Sequence, residues 1–284
     1  MGALGFCLLF GGNYIESLCS GLCGVSIGLV NRGTARLNVN SIFRTLGASF
    51  LMTLLACFLG FIHVASNVDA VIIGGLMSLV PGFLFTNGLR DIIYGDVNSG
   101  TNRIVQVFLI AVILALGTAA AWKLSDFLWG TIVSSEAINH SIWIQAVGCF
   151  IAGIGFSIIY NIHGPGMIIC AIGSVLTWVA YRIAGYLGCN DILSYFWATV
   201  FAALYAEIMA RIRKYPAISY LIIAAFPLIP GAGVYFTMSH ALSRDMDRFT
   251  SQGFHTLSIA GVMAIGILVI SSTFRMIRIT SKNK

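Results

Sequence analysis

The chain has 284 residues, of which 58% are hydrophobic and 9% charged, with a mean hydropathy of +0.92 and a formal net charge of +6. Soluble domains are about 25% charged, so this composition excludes a cytosolic enzyme, a disordered chain and a secreted disulfide scaffold. An all-α, polytopic integral membrane protein remains.

The opening apolar run, residues 3–10, is shorter than the roughly 20 residues that cross a bilayer. Gly11-Gly12-Asn13 interrupts it before Glu16, and the expectation is a helix completed by residues outside this chain, with one irregular span over residues 3–30 as the alternative. No basic residue precedes Arg32, so the positive region of a secretory signal is missing from this stretch. Apolar runs then follow at 17–31, 42–62, 67–89, 104–127, 142–162, 165–186, 191–212, 216–239 and 254–276, giving about ten helices with the opening segment. The polar gap at 128–141 divides the chain into a first half, 1–130, and a second, 131–284, of five helices each.

With the amino terminus inside and every helix crossing, twelve of the sixteen Lys and Arg residues fall in inside gaps and the tail. Lys123, Arg182, Arg244 and Arg248 fall outside. This bias is that of an inner (plasma) membrane protein with a cytoplasmic carboxyl terminus. The same placement, in short gaps between apolar runs, argues against nucleic acid as a partner despite the basic balance. Seven cysteines form no C-x-x-C pair and read as small packing residues.

Leu79-Val80-Pro81-Gly82-Phe83 and Leu228-Ile229-Pro230-Gly231-Ala232 lie 149 residues apart, each late in an apolar run and before a polar loop carrying Arg and Asp. Five helices per half is an odd number, so the second half enters from the opposite side, an inverted repeat. Proline removes an N–H and clashes with the preceding turn, and glycine adds freedom. The freed main-chain groups survive in a bilayer only against protein, water or a ligand. A single Pro-Gly reads as a packing kink, whereas two at matching positions point to a site at mid-membrane.

Phe10-Gly11-Gly12-Asn13-Tyr14-Ile15-Glu16 and Leu79-Val80-Pro81-Gly82, through Asn87 and Asp91, resemble the membrane half of the threonine/serine exporter (ThrE-type) family. Ala206-Glu207-Ile208-Met209-Ala210-Arg211, Pro216 and the run from Pro227 to Met238 resemble its smaller carboxyl-terminal half. The resemblance implies export of threonine or serine. In some bacteria the halves are separate proteins linked to dicarboxylate (succinate) export, which is the alternative substrate class. Family members usually carry a soluble domain before the first helix, and they usually have Asp where this chain has Glu16. The resemblance therefore also admits a membrane subunit that requires a soluble cytoplasmic domain on another chain.

Glu207 is an intramembrane carboxylate, which costs about 2.5–3.5 kcal/mol on insertion scales and so faces protein or a water-filled cavity. It is a candidate for proton coupling, and equally a partner for Arg211 one turn on. Glu16, at the first break, is a second protonatable group or an interfacial charge. The expected substrate contacts are Pro81, Gly82, Asn87 and Asp91 in the first half and Pro230, Gly231, Tyr235 and Thr237 in the second. Asp69 and Asp191 are expected to cap helices, and Arg182 to snorkel. The five histidines have no ligand spacing, so neither a metal nor a cofactor is expected. Ser20, Gly24 and Gly28, like Gly148 and Ala152, repeat every four residues. That spacing suits close helix packing within one chain or between copies of a homo-oligomer.

No zinc-helix motif, nucleophile elbow or P-loop occurs. An enzyme and an ATP-driven pump are thereby set aside. What is left is a secondary exporter of small polar metabolites embedded in membrane lipid and using the proton gradient.

Overall fold

The computed structural model describes residues 1–37 and 39–282, with side chains through Met276. Lys284 and the side chains of Arg278 and Lys282, counted above for orientation, lie outside the described residues. The regular elements among the described residues are all helices: α1 (Gly2–Leu9), α2 (Tyr14–Arg36), α3 (Ser41–Phe61), α4 (Val68–Leu76), α5 (Gly82–Ile93), α6 (Val97–Trp129), α7 (Ile142–Ile159), α8 (Pro165–Tyr186), α9 (Asp191–Arg213), α10 (Ala217–Ala225), a 3₁₀ turn (Phe226–Leu228), α11 (Gly231–Leu242) and α12 (Met246–Lys282). Seven of these are long and apolar enough to cross a bilayer, or eight if α10 and α11, bent by 50° at their junction, form one broken span.

Two apolar runs differ from continuous helices. Residues 67–89 break between α4 and α5, and 216–239 break between α10 and α11. Pro81 follows the first helix of one pair; in the other, Pro227 lies within the 3₁₀ turn and Pro230 follows it, and proline has no N–H to carry a helix through. Helix starts are capped by asparagine: the side chains of Asn13, Asn40, Asn67 and Asn190 accept backbone N–H groups of α2, α3, α4 and α9. Asp69 and Asp191, expected as caps, sit instead in the first turn behind Asn67 and Asn190. There they still face the positive end of the helix dipole.

The order of elements repeats. α4, α5 and the first residue of α6 recur 149 residues later as α10, α11 and the first residue of α12. The compact units follow the same interval without following the two halves of the sequence. Unit one is Met1–Pro81, Gln106–Ala152 and Gly231–Phe254, and unit two is Gly82–Val105, Gly153–Pro230 and His255–Lys284. Each half thus gives one hairpin, begun at a Pro-Gly step, to the other unit.

In unit one, α1 to α4 pack together. The approach is close because the facing residues are small: a Cβ on Gly74 would strike the Ser20 hydroxyl and the Ala3 carbonyl, and the Ser20 hydroxyl donates to that carbonyl at 3.1 Å. α2 buries Ser17, Cys19, Ser20 and Cys23 while exposing Leu18, Leu22, Val25 and Leu29. Small and polar residues inside with large apolar ones outside is the pattern of a lipid-facing helix. The connections before α2, before α4 and after α6 are tied together, by Ile138 N–H to the Gly11 carbonyl at 2.8 Å and Ser135 N–H to the Ser66 carbonyl at 2.9 Å. Within this unit α3 and α6 run side by side in one direction. Ser49 lies against Gly117, Cys57 beside Ser125, and Phe61 stacks on Trp129 at 5.7 Å.

Unit two packs α8, α9 and α10 in the same way. Gly173 admits the Tyr205 ring, whose hydroxyl donates to the Ile169 carbonyl at 2.7 Å. Here α9 and α12 form the corresponding parallel pair. Asp191 meets His255 at 2.9 Å, Thr199 lies against Gly266, and Arg211 covers the Phe274 ring at 4.2 Å from its centroid. The residues from 191 to 211 rise about 30 Å at 1.5 Å each, the thickness of a hydrocarbon core.

Candidate functional site

The first break is a short run of tightening turns. Ser78 N–H bonds to the Gly75 carbonyl at 3.2 Å, and Leu79 and Val80 N–H both bond to the Leu76 carbonyl, at 2.8 and 2.9 Å. Pro81 then supplies no donor, and the chain leaves the α4 axis. In unit one the start of α11 docks on this break. A Cβ on Gly231 would lie 3.2 Å from Val80 Cγ1 and 3.5 Å from the Met77 sulfur. The glycine keeps this approach close, and the start of α11 meets the Val80 break within unit one.

One turn along α11, the Tyr235 hydroxyl interacts with the side chains of Thr118 and Ser239 and lies in the field of Asp69. Thr237 is buried, donates to the Gly233 carbonyl at 2.7 Å, and places its methyl near Gly253. Both hydroxyls lie on α11 within two turns of its start at Gly231. The sequence reading missed Thr118 and Ser239. The available signal was a hydroxyl inside the apolar run 104–127, but nothing along α6 tells which of its faces meets α11.

Unit two holds Gly82, Asn87, Asp91, Pro230 and Glu207. Asn87 has its carbonyl oxygen buried without a partner. Asp91 is paired with Arg103 at 2.9 Å and with Arg90 at 3.7 Å. Close packing of Gly88 on Gly100 allows this: a Cβ on Gly88 would meet the Gly100 carbonyl at 3.2 Å. Pro230 is buried behind the 3₁₀ turn.

The two candidate proton carriers differ in setting. Glu207 is bonded to the Arg211 guanidinium at 2.5 Å, so the pairing expected from their spacing forms, with the Glu207 side chain 21% exposed. Glu16 is 1% exposed. Its two oxygens accept from the N–H of Asn13 and the N–H of Asn67, each at 2.7 Å, which joins the start of α2 to the start of α4. Arg182 is exposed at the edge of a cavity of about 400 Å³ lined by Tyr181, Tyr186, Cys189, Asp191 and Ser194.

Comparison with known proteins adds the family. A threonine/serine exporter model (ThrE) matches residues 1–125, and a second, described as "Threonine/Serine exporter, ThrE", matches residues 145–273. No curated relative and no solved structure matches the chain. With matches across both of its repeating halves, the chain belongs to the threonine/serine exporter family, whose members are membrane transporters of small molecules.

Proposed function

We propose that the chain is a secondary active exporter of threonine or serine, driven by the proton gradient across the inner (plasma) membrane, with its carboxyl terminus cytoplasmic. Residues 1–130 and 131–284 are its two halves, inserted in opposite senses. Each is a set of five membrane helices when α4 with α5, and α10 with α11, count as one broken helix and the eight-residue α1 counts as the first. The observation that carries this reading is the contact of Gly231 with Met77 and Val80, which brings one helix start against the opposed break. Main-chain groups released at such breaks are the means by which carriers hold polar solutes at mid-bilayer.

In unit one the solute is held at the Pro81 break by the α11 start at Gly231 and by the hydroxyls of Tyr235 and Thr237. Gly82, Asn87, Asp91 and Pro230, in unit two, are the remaining proposed solute contacts. Glu207 carries the proton. Neutralising it dissolves its ion pair with Arg211, and the two charge states therefore favour different packing at the end of α9. Glu16 is the second carrier, since protonation removes one of the acceptors that join α2 to α4.

The test is efflux of labelled serine from liposomes containing only the purified full chain. A pH gradient is expected to accelerate efflux in the wild type, and Glu207→Gln is expected to abolish that dependence; an unchanged response defeats the coupling role. Gly231→Leu is expected to lower flux about tenfold or more, because overpacking at a close helix approach costs about 1–3 kcal/mol. Flux equal to wild type removes the break from the mechanism. Competition by unlabelled succinate separates a dicarboxylate exporter from an amino-acid exporter. Absence of any flux favours a subunit that needs a soluble partner.

A further inference from the structure

We propose that the Thr53–Cys57–Ser125 region between α3 and α6, in unit one, is a binding site for a small cationic group: the protonated amino group of a solute or an alkali cation. The inference concerns binding, and rests on the exporter reading only for its purpose, a station for the solute away from the Pro-Gly breaks.

The first observation is a pair of stranded hydroxyls. Thr53 and Ser125 are both 0% exposed, and neither side-chain oxygen has a hydrogen-bond partner of full strength. Ser125 lies beside the Cys57 thiol, which is a weak one. Thr53 precedes Cys57 by one turn and so shares its face of α3. One turn earlier again, the Ser49 hydroxyl satisfies itself by donating to the Leu46 carbonyl at 3.0 Å, a bond that Thr53 does not copy. A buried hydroxyl without a partner has lost its water and gained nothing in exchange, so two within one unit indicate an occupant.

The second observation favours a positive charge. Asp69 and Asp126 both act electrostatically on Cys57, and Asp69 also acts on Tyr235. Neither carboxylate forms an ion pair among the described residues. Beyond Ser125 the same end of the helix pair opens into a cavity of about 590 Å³ lined by Gly60, Phe61, His63, Ser66, Trp129 and Ser135, and the faces of Phe61 and Trp129 suit a passing cation.

The third observation comes from the repeat. Ser49 against Gly117 in unit one corresponds to Thr199 against Gly266 in unit two. Carried two turns along, the Cys57 and Ser125 positions correspond to Glu207 and Phe274. In unit two that level already contains a cation, the Arg211 guanidinium, bonded to Glu207 and lying over Phe274. In unit one the position matching Arg211 is Phe61, so no built-in cation is supplied and the hydroxyls are left open.

The test uses the purified full chain in detergent and reads ligand-induced thermal stabilisation, which needs no transport. The probes are serine, N-acetylserine, and sodium chloride against choline chloride. The variants are the double substitution Thr53→Val with Ser125→Ala, and Ser125→Thr, which keeps the hydroxyl. Stabilisation by serine but not N-acetylserine, weakened about tenfold in the double variant and retained in Ser125→Thr, assigns the amino group. Stabilisation by sodium over choline that is lost in the double variant assigns an alkali cation. If neither effect depends on Thr53 and Ser125, the site is overturned. Absence of serine flux with either dependence intact defeats the exporter reading and leaves this site standing. Wild-type flux and apparent KM in the double variant, with no such dependence, do the reverse.

Discussion

Glu16→Ala is expected to destabilise the protein by about 3–5 kcal/mol, measured as a shift in chemical or thermal unfolding of the full chain in detergent. Glu16 is buried, and each of its oxygens accepts a main-chain N–H at a helix start, from Asn13 at α2 and Asn67 at α4. These are the donors that a helix cannot satisfy itself, and both lie at the positive end of a dipole. Alanine strands both, and a buried donor left unpaired costs about 1–3 kcal/mol. Asn67 is also the cap of α4, accepting from Ala70 N–H at 2.9 Å, so its displacement spreads to that helix. Glu16→Asp shortens the arm and keeps one link, with an expected cost of about half. Both variants within about 1 kcal/mol of wild type would falsify the role of Glu16 in joining these helix starts.

The second large effect separates two glycines that look alike in sequence. Gly117→Ala is expected to destabilise by about 1–3 kcal/mol, and Gly266→Ala to leave stability within about 1 kcal/mol of wild type. Alanine gains about 1 kcal/mol over glycine in any helix, so the sign is decided by what the new methyl meets. At Gly117 it strikes the Ser49 hydroxyl and lies 2.9 Å from the Leu46 carbonyl, a main-chain atom that moves only with α3. At Gly266 the nearest atom is 3.3 Å away, on the Thr199 side chain. Thermal unfolding of both variants side by side is the measurement. Equal shifts would mean that the α3–α6 and α9–α12 pairs pack equally tightly, contrary to these distances.

The geometry around the candidate site was legible to different depths in different residues. Pro81-Gly82 and Pro230-Gly231 were readable because proline and glycine act through the backbone, where sequence and local structure are nearly the same statement. The Glu207–Arg211 pair was readable for the same reason, since one helical turn brings the two together whatever the rest of the chain does. Glu16 was read as a charge at a break. Its bond to Asn67, 51 residues away, depends on α4 returning beside α2, which no local pattern encodes. Asp91 was read as a solute contact, and its two arginine neighbours include Arg103, brought close by the Gly88–Gly100 approach.

Composition and hydropathy alone determined that the chain is helical and embedded in lipid, because a bilayer leaves main-chain groups few other ways to be satisfied. Local sequence also determined where its helices start and break, through asparagine, proline and glycine. Only the tertiary structure decided which segments pack together. The hairpins Gly82–Val105 and Gly231–Phe254 each join the unit of the other half, through contacts distant in sequence such as the Tyr94 hydroxyl on Ser272 and Gly231 on Val80. The stranded hydroxyls of Thr53 and Ser125 have the same origin: either residue is ordinary in an apolar helix until its neighbours bury it away from any strong partner.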